Sequence, residues 1–315
     1  MPDPIVIREA EAADMEGILG VLSASLGETT LLKRTPELFA WKHLDNPFGR
    51  SIVMVAESAG RLAGVRAFMR WRLDTTEGDE LSCVRAVDTA THPEFQGRGV
   101  FRDLTMTAVE QARSEGVDLI FNTPNEKSAP GYLKMGWSEV GQIRPRVRPR
   151  LGRTVVPGDS GIVDPFDVLP TAREFAPQPV EDREQRGLRT PRTIAYQKWR
   201  YTGHPTARYG WVGEGAQGAV VRGSVRRGRT ELLITELWGG GATLLRSIAR
   251  AHRARYMAAA FTDISPEAGS ARSAWMLRPP GVDGLRLVAN DLAGLDIDVF
   301  DLASWDLSLG DLELL

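Results

Sequence analysis

The sequence predicts an α+β fold, a mixed α/β architecture in which a twisted mixed sheet is flanked by helices. The first observation is the order of predicted elements, β-α-α-β-β-β-α-β-α-β, which combines antiparallel hairpins with crossover helices. The second is an amphipathic segment from Gly99 to Glu115, where apolar residues recur every four positions and Gly116 provides a helix stop. The third is a glycine-containing turn that joins this helix to the strand before it.

The individual elements of the first half follow from their residue patterns. Apolar runs bounded by turn residues predict strands, and apolar residues at spacings of three and four predict helices. Pro36 suits the first turn of a helix, and Asn46-Pro47 suits its end. In chain order, the predicted elements are a strand at 4–9, helices at 12–26 and 36–46, strands at 51–57, 62–73 and 81–91, a helix at 99–115, a strand at 119–122, a helix at 127–135 and a strand at 137–147.

The second half of the chain repeats a pattern of the first half. Trp41 precedes Pro47 by six residues, and Trp199 precedes Pro205 by the same distance. A strand, a turn containing glutamate and a second strand follow each of these segments. Internal similarity of this kind predicts two copies of one fold unit.

A change in composition separates the two predicted copies. Residues 149–190 carry several prolines and a charged cluster at 181–186, which predicts a connector with little regular structure. The last residues form an apolar run (WDLSLGDLELL) that suggests a strand docked between the halves. The predicted domains are therefore a first domain at 1–148, a connector at 149–190 and a second, degenerate domain at 191–315.

Composition and charge narrow the class of protein. The chain has 315 residues, 42% of them hydrophobic and 25% charged, with a net charge of −2, so we expect neither nucleic acid nor a membrane as a partner. The single cysteine, Cys83, forms no internal disulfide, and the N-terminus has no signal-peptide pattern, so we expect a cytoplasmic protein. The four histidines lack metal-ligand spacing, so we expect no metal.

The most informative segment runs from a predicted strand through a turn into a predicted helix, at residues 88–102. Gly97 and Gly99 allow close backbone approach, and the start of a helix offers unpaired N–H groups and partial positive charge. This arrangement suits an anion such as a pyrophosphate, although a simple tight turn before a helix has the same pattern. The segment is neither a P-loop nor a dinucleotide fingerprint.

Two motifs in this region resemble the GNAT (GCN5-related N-acetyltransferase) superfamily. The run from Gln96 to Phe101 resembles the Q/R-x-x-G-x-G/A signature, and Phe101 replaces its last glycine or alanine. That replacement is similar to the branch of enhanced-intracellular-survival acetyltransferases. The run from Asn125 to Trp137 resembles the element N-x-x-A-x-x-x-Y-x-K-x-G-F, beginning 29 residues after Gln96. The branch implies a tandem GNAT fold whose second half is degenerate, and no such motif occurs in the second half here.

The resemblance implies a binding site for acetyl-CoA in the first half. In this family the glycine-containing loop holds the pyrophosphate through main-chain N–H groups. The strand before the loop provides groups for the thioester, and the asparagine contacts the pantetheine arm. The implied cofactor-binding residues are Thr89, Ala90, Thr91, Gln96, Gly97, Arg98, Gly99, Val100, Phe101, Arg102 and Asn125.

The resemblance also implies direct transfer of the acyl group to an amine. Tyr132 occupies the position of the general acid, although a tyrosine here could also simply pack in the core. Asp88 is the nearest carboxylate to the expected thioester and is the candidate general base. It could instead be structural or bind the substrate ammonium. A water chain or the terminal carboxylate of Leu315 are the other candidates for the base.

The function that follows is N-acetyltransfer from acetyl-CoA to a primary amine of a small molecule or an amino sugar. O-acylation or decarboxylation of an acyl-CoA is a related alternative. A CoA-binding sensor without turnover and a protein N-acetyltransferase are alternatives of other classes. The candidate acid Tyr132 favours an enzyme over a sensor, since a sensor needs no proton donor.

Overall fold

A computed structural model describes residues 3–28, 33–150, 152, 154–156, 163–180, 185–214, 217–239 and 241–312. The described helices are α1 (Met15–Leu26), α2 (Pro36–His43), α3 (Val100–Ser114), α4 (Ala129–Lys134), α5 (Pro165–Val168), α6 (Ile194–Gln197), α7 (Ala242–Ala251), α8 (Pro266–Ser273) and α9 (Leu309–Leu312). The described strands are β1 (Val6–Glu9), β2 (Ile52–Ser58), β3 (Arg61–Asp74), β4 (Glu80–Thr91), β5 (Leu119–Asn122), β6 (Ser138–Ile143), β7 (Arg146–Pro149), β8 (Arg173–Glu174), β9 (Gly210–Glu214), β10 (Gln217–Arg226), β11 (Arg229–Trp238), β12 (Tyr256–Ala259) and β13 (Leu285–Asp291).

The described residues form two compact units. The first consists of Met1–Leu73, Glu80–Val140 and Leu287–Phe300, and the second of Asp74–Asp79, Gly141–Arg286 and Asp301–Leu315. Each unit contains one mixed sheet with helices packed on it, so the predicted α+β class is confirmed.

The first unit contains a seven-stranded sheet in the order β1-β2-β3-β4-β5-β13-β6. Strands β1, β2 and β3 pair antiparallel, and β4 pairs with β5 in parallel. The helix between β4 and β5 is α3, and it buries the apolar residues that predicted it, Val100, Leu104, Ala108 and Ala112. The burial of this stripe holds α3 on the sheet and fixes the position of the turn before it.

The second unit contains a six-stranded sheet in the order β7-β12-β11-β10-β9-β8. Strands β9, β10 and β11 pair antiparallel, and β11 pairs with β12 in parallel through the crossover helix α7. This is the pattern of β2, β3, β4 and β5 in the first unit. The predicted repetition of one fold unit therefore has a direct counterpart in the topology of the two sheets.

The strand predicted at 137–147 is two strands. Strand β6 ends at Ile143 in the first sheet, and β7 begins at Arg146 at an edge of the second sheet. Between them lies Arg144-Pro145, and proline fixes its own φ and has no N–H to donate to a strand ladder. The prediction missed this interruption because the apolar pattern continues on both sides of it.

The predicted connector at 149–190 contains more structure than its prolines indicate. Asp164 caps α5 by accepting a hydrogen bond from the Phe166 N–H, with Pro165 in the first helical turn. Strand β8 extends the second sheet by pairing with β9. Val168 and Leu169 are fully buried in the core of the second unit. The segment is therefore part of the second unit, since its apolar side chains complete that core.

A strand from the second half of the sequence belongs to the first sheet. Strand β13 pairs antiparallel with β5, with Val288 opposite Asn122. Its residues Leu287, Val288 and Ala289 are fully buried. The predicted contiguous domains at 1–148 and 191–315 differ from this arrangement, because backbone pairing and burial decide which sheet a strand joins.

The C-terminal run is not a strand in its described part. Trp305 and Ser308 form single bridges with Leu188 and Phe261, and the chain then turns into the short helix α9. Leu315, whose carboxylate was a candidate base, lies outside the described residues. Within the described part of the chain, no helix has both the length and the apolar character needed to cross a membrane.

Candidate active site

A cavity of about 760 Å³ opens in the first unit where β4 separates from β5. The ladder between these two strands runs from the pair Cys83–Leu119 to the pair Arg85–Phe121. Strand β4 then continues to Thr91, whereas β5 ends at Asn122. The backbone of β4 beyond Arg85 therefore faces the cavity where its neighbour would otherwise lie.

The predicted site residues converge on this cavity, with one exception. Its lining includes both predicted catalytic residues, Asp88 and Tyr132, and all but one of the predicted cofactor-binding residues: Thr89, Ala90, Thr91, Gln96, Gly97, Gly99, Val100, Phe101, Arg102 and Asn125. The exception is Arg98, whose guanidinium donates a 2.6 Å hydrogen bond to the Asp3 carbonyl and lies over the Phe95 ring. The side chain of Arg98 therefore points away from the cavity.

The turn between β4 and α3 depends on two glycines with left-handed backbone. Gly97 has a φ of 77° and Gly99 has a φ of 82°, conformations that residues with a Cβ rarely adopt. A Cβ at Gly97 would meet no atom within 4 Å, so that side of the loop is open. Helix α3 starts at Val100, and its first N–H groups have no partner within the helix. The turn and helix start therefore form a cradle suited to an anion.

The start of α3 lies very close to the sheet. A Cβ placed on Gly64 of β3 would be 2.7 Å from Val100 Cγ1 and 3.1 Å from the Ala90 carbonyl oxygen. Only glycine at this position allows such an approach. The cradle is consequently fixed against β3 and β4, and its position relative to the cavity is set by packing.

The Tyr132 hydroxyl accepts a hydrogen bond from a buried arginine. Tyr132 is 3% exposed and lies on α4, and its ring edge contacts Phe101 and Trp137. Arg66 Nη1 donates a 2.7 Å hydrogen bond to the Tyr132 oxygen. The sequence analysis did not identify Arg66. The sequence feature that points to Arg66 is that it is the single charged residue in the otherwise apolar run from Ala63 to Met69 of β3.

Phe101, the departure from the family signature, fills a specific space. Its Cε1 atom would lie 2.8 Å from a Cβ on Gly131 of α4, so the ring packs directly on that glycine. The ring also lies edge-on to Tyr132 at a centroid distance of 5.7 Å. The bulky residue thus links α3 to the helix of the candidate acid, and its backbone leaves the cradle intact.

Asp88 lies in the cavity lining, but its carboxylate is already engaged. Oδ1 accepts a 3.1 Å hydrogen bond from Arg34, and Oδ2 accepts hydrogen bonds of 2.9 Å from both Lys42 and His43. Burial alone would raise the pKa of Asp88, but the Lys42 charge and the His43 hydrogen bond outweigh it, so the pKa lies far below its usual value. Asp88 also adopts a φ of 40°, which the surrounding contacts hold.

These contacts argue against a role of Asp88 as general base. A base needs a pKa near the working pH and a free oxygen directed at the substrate. Asp88 has a strongly lowered pKa and both oxygens bound to donors. The sequence analysis missed Arg34, Lys42 and His43 because they lie 45 to 54 residues away in the chain.

His43 is neutral and fully buried in this cluster. Burial lowers its pKa against the opposing effect of Asp88. Since the Asp88 carboxylate can only accept, the His43 hydrogen lies on Nε2, and Nδ1 accepts from the Ser51 hydroxyl at 2.8 Å. The cluster therefore joins α2, the residue before β2 and the end of β4 through one carboxylate.

Asn125 lines the cavity, and its contact with the pantetheine arm stays a prediction. Its Oδ1 accepts hydrogen bonds of 3.0 Å from the N–H groups of Lys127 and Ser128, so it stabilises the turn that leads into α4. Only its amide nitrogen remains to contact a ligand in the cavity. The sequence analysis did not identify Asn122, a 3% exposed residue at the end of β5 that also lines the cavity.

Comparison with known proteins is consistent with this site. Residues 6–140 match a family model described as "Acetyltransferase (GNAT) domain", and this segment is a GNAT acetyltransferase domain. The matched range includes the strands, the cradle and the helix that form the cavity. Among the described residues, no group of three or more His, Cys, Asp or Glu side chains is arranged to hold a metal ion.

The chain is also similar to one curated acetyltransferase and to several solved structures. An L-methionine sulfoximine/L-methionine sulfone acetyltransferase of Pseudomonas aeruginosa is 26% identical over 155 residues, 47% of this chain and 87% of that protein. A probable N-acyltransferase from Enterococcus faecalis has a TM-score of 0.60 at 12% identity, covering 92% of this chain and 73% of that one. Eis1 from Mycobacterium abscessus has a TM-score of 0.53 at 12% identity, covering 92% and 74%. At these identities the solved structures show the fold.

Proposed function

We propose that this protein is an acetyl-CoA-dependent N-acetyltransferase that acts on a primary amine of a small molecule or an amino sugar. The observation that carries the proposal is the convergence of two features on one cavity. The glycine cradle before α3 offers backbone N–H groups for a pyrophosphate, and the Tyr132 hydroxyl lies in the lining of the same cavity. An acyltransferase needs both an anion site for CoA and a proton donor for the leaving sulfur.

The residues present fit acetyl-CoA, which supplies the thioester when bound. The open space beside Gly97 suits a pyrophosphate, and the unpaired edge of β4 at Thr89, Ala90 and Thr91 suits a carbonyl oxygen that develops negative charge. The substrate nitrogen attacks the acyl carbon, the new C–N bond forms and the C–S bond breaks. Tyr132 gives its proton to the sulfur, and solvent restores it.

The amine loses its proton to water and not to Asp88. The cavity is open to solvent, and the Asp88 carboxylate is ionised and bound to three donors. Asp88 instead acts as an anchor that holds the end of β4 in position. This role agrees with its burial, its positive φ and its strongly lowered pKa.

A small-molecule acceptor is supported by the curated relative. The Pseudomonas aeruginosa protein is named for acetylation of L-methionine sulfoximine and L-methionine sulfone, which are small molecules. The match covers 155 residues and 87% of that protein.

The experiment is calorimetric titration with acetyl-CoA, using two glycine variants of the same helix. Gly99 precedes α3 with a φ of 82°, and Gly116 follows it with a φ of 71°. Valine at either position introduces similar backbone strain of about 1 kcal/mol or more, but only Gly99 lines the cavity. We expect one equivalent of acetyl-CoA to bind to the wild type and to Gly116→Val, and to bind Gly99→Val about tenfold more weakly or worse.

The titration is followed by a screen of small amines that detects released thiol. Binding together with turnover of a small amine supports the proposal. Binding without turnover of any amine, amino sugar or peptide would favour a CoA sensor. Absence of binding to the wild type would contradict the proposal, and turnover of a protein lysine alone would identify a protein acetyltransferase.

A further inference from the structure

Arg66 is a fully buried cation that has no carboxylate partner among the described residues. Its side chain is 0% exposed, in the middle of β3. It donates hydrogen bonds of 2.7 Å from Nη1 to the Tyr132 oxygen and from Nη2 to Thr105 Oγ1. A buried charge is costly unless its interactions compensate. A structural role alone would be filled better by an apolar side chain, so the polar contacts of Arg66 call for an explanation.

The surroundings of Arg66 fix its position. Its guanidinium carbon lies 5.2 Å from the Phe101 ring centroid, 5.3 Å from that of Tyr132 and 5.5 Å from that of Phe68. Thr105 in turn donates a 2.6 Å hydrogen bond to the Phe101 carbonyl. Cation–π contacts on three rings and an anchored hydroxyl hold the guanidinium in a single orientation.

The direction of the hydrogen bond to Tyr132 determines where the phenol hydrogen points. A guanidinium has only donors, so the Tyr132 oxygen must accept from Arg66. No described group accepts a hydrogen bond from the Tyr132 hydroxyl. The phenol hydrogen is therefore left for the cavity that Tyr132 lines.

We propose that Arg66 is the positioning residue of the general acid in this acetyltransferase. It directs the phenol hydrogen of Tyr132 at the leaving sulfur and stabilises the phenolate that remains when the proton has moved. This inference rests on the proposed function. In the step concerned, the C–S bond breaks, the electron pair stays on sulfur, and the proton passes from the Tyr132 oxygen to sulfur. The phenolate then lies beside the Arg66 cation until solvent returns a proton.

The test compares Arg66→Met with two acyl donors that differ in one atom. Acetyl-CoA needs a proton on its leaving thiolate, whereas acetyl-seleno-CoA releases a selenolate, which is far less basic and needs no acid. With acetyl-CoA we expect kcat to fall roughly 10- to 100-fold, a share of what a lost general acid costs, while KM changes less than about threefold. With the selenium donor, the fall should shrink to less than about threefold. An equal fall with both donors would overturn the proposal.

Two further variants separate positioning from general packing. Arg66→Lys keeps the positive charge, on a single nitrogen atom, and should restore part of kcat with acetyl-CoA. If Arg66→Met does not fold, the two acyl donors are compared on Arg66→Lys. Arg85→Met removes another buried guanidinium, which is 2% exposed and lies over the rings of Trp71 and Phe121. It should lower stability and leave the ratio of the two donor rates unchanged. A change in that ratio equal to that of Arg66→Met would overturn the proposal.

A measurement without turnover separates failure of this inference from failure of the proposed function. The chain has five tyrosines, so ¹³Cζ-tyrosine NMR resolves Tyr132, with Tyr132→Phe giving the assignment. The Tyr132 signal should move in Arg66→Met and stay in place in Arg85→Met. If the wild type acetylates no amine, the proposed function fails. If the Tyr132 signal does not move in Arg66→Met, the role proposed for Arg66 fails, whatever the result of the activity assay.

Discussion

His43 donates a 2.9 Å hydrogen bond from Nε2 to Oδ2 of Asp88, and this contact joins α2 to the end of β4. The second unit contains a similar contact. Tyr201 donates a 2.7 Å hydrogen bond to Glu236 near the end of β11, the strand that corresponds to β4 in the sheet order. His43 and Tyr201 each stand two residues after a tryptophan of the repeated pattern. In each unit, therefore, the segment after that tryptophan is hydrogen-bonded to a carboxylate on the corresponding strand, β4 or β11. This similarity supports an anchoring role for Asp88.

Replacing Asp88 by asparagine should destabilise the first unit. The change leaves Lys42 and Arg34 buried without their counter-charge, and breaking a buried ion pair typically costs about 3 kcal/mol. Urea unfolding at pH 7 measures the loss. Because the folded pKa of Asp88 is lowered, its contribution to stability is fully present above the unfolded pKa of about 4 and declines as pH falls from there toward the folded pKa, so the difference between the two proteins should narrow in acid.

Glu94→Gln is the matched control for Asp88→Asn. Glu94 pairs with Arg61 on the surface, where both side chains are more than 60% exposed, so its loss should cost far less stability than the loss of Asp88. Turnover by folded Asp88→Asn protein should fall less than about tenfold, since the Asp88 carboxylate is an anchor and not the base. A fall of about 10³-fold with unchanged stability would restore Asp88 as the base.

Replacing Tyr132 by phenylalanine should separate binding from chemistry. The ring and its contacts with Phe101 and Trp137 remain, whereas the proton donor and the acceptor of the Arg66 hydrogen bond are lost. We expect acetyl-CoA affinity within about threefold of the wild type and turnover reduced by roughly 10²-fold or more. Calorimetry and a thiol-release assay measure the two quantities. Unchanged turnover would mean that Tyr132 is a core residue and that the acid is another group.

Replacing Gly131 by alanine should disturb the packing between α3 and α4. The new Cβ would lie 2.8 Å from Phe101 Cε1, so the ring or the helix must shift, at a cost of about 1–3 kcal/mol. Phe101→Leu should relieve the clash, so the double variant should be more stable than Gly131→Ala. Thermal unfolding of the two single variants and the double variant measures this coupling. Simple additivity of the two changes would show that the ring does not rest on Gly131.

His252 in the second unit should make stability depend on pH. The residue is buried, and burial, followed by the charges of Arg150 and Arg148, lowers its pKa to about 4. Because the folded pKa lies below the unfolded value of about 6.5, the stability is present above that pH and is lost as pH falls toward 4.

Urea unfolding at pH 7 and pH 4.5 of the wild type and His252→Leu measures this effect. The wild type should lose on the order of 2 kcal/mol more than the variant between these pH values, because the variant has no imidazole to protonate. Contributions of carboxylates and of His43 cancel in the comparison. Identical losses in both proteins would show that His252 is hydrated or paired in solution.

The sequence determined the class of protein and most of the cavity lining. The cradle could be predicted because its chemistry is local: Gly97 and Gly99 fix the turn, and the apolar stripe of α3 fixes the helix that follows. The spacing of Tyr132 from Asn125 is likewise contained in one short helix and its turn. Motifs of this kind keep their geometry because neighbouring residues determine it.

Tertiary structure alone decided the electrostatic roles of the site residues. The partners of Asp88 lie on α2 and near it, and Arg66 is 66 residues before Tyr132 in the chain. Strand β13 joins the first sheet from the far end of the sequence. Whether a carboxylate is a base or an anchor depends on which charges pack against it and how deeply it is buried. Those properties arise from contacts between distant elements, which residue spacing does not encode.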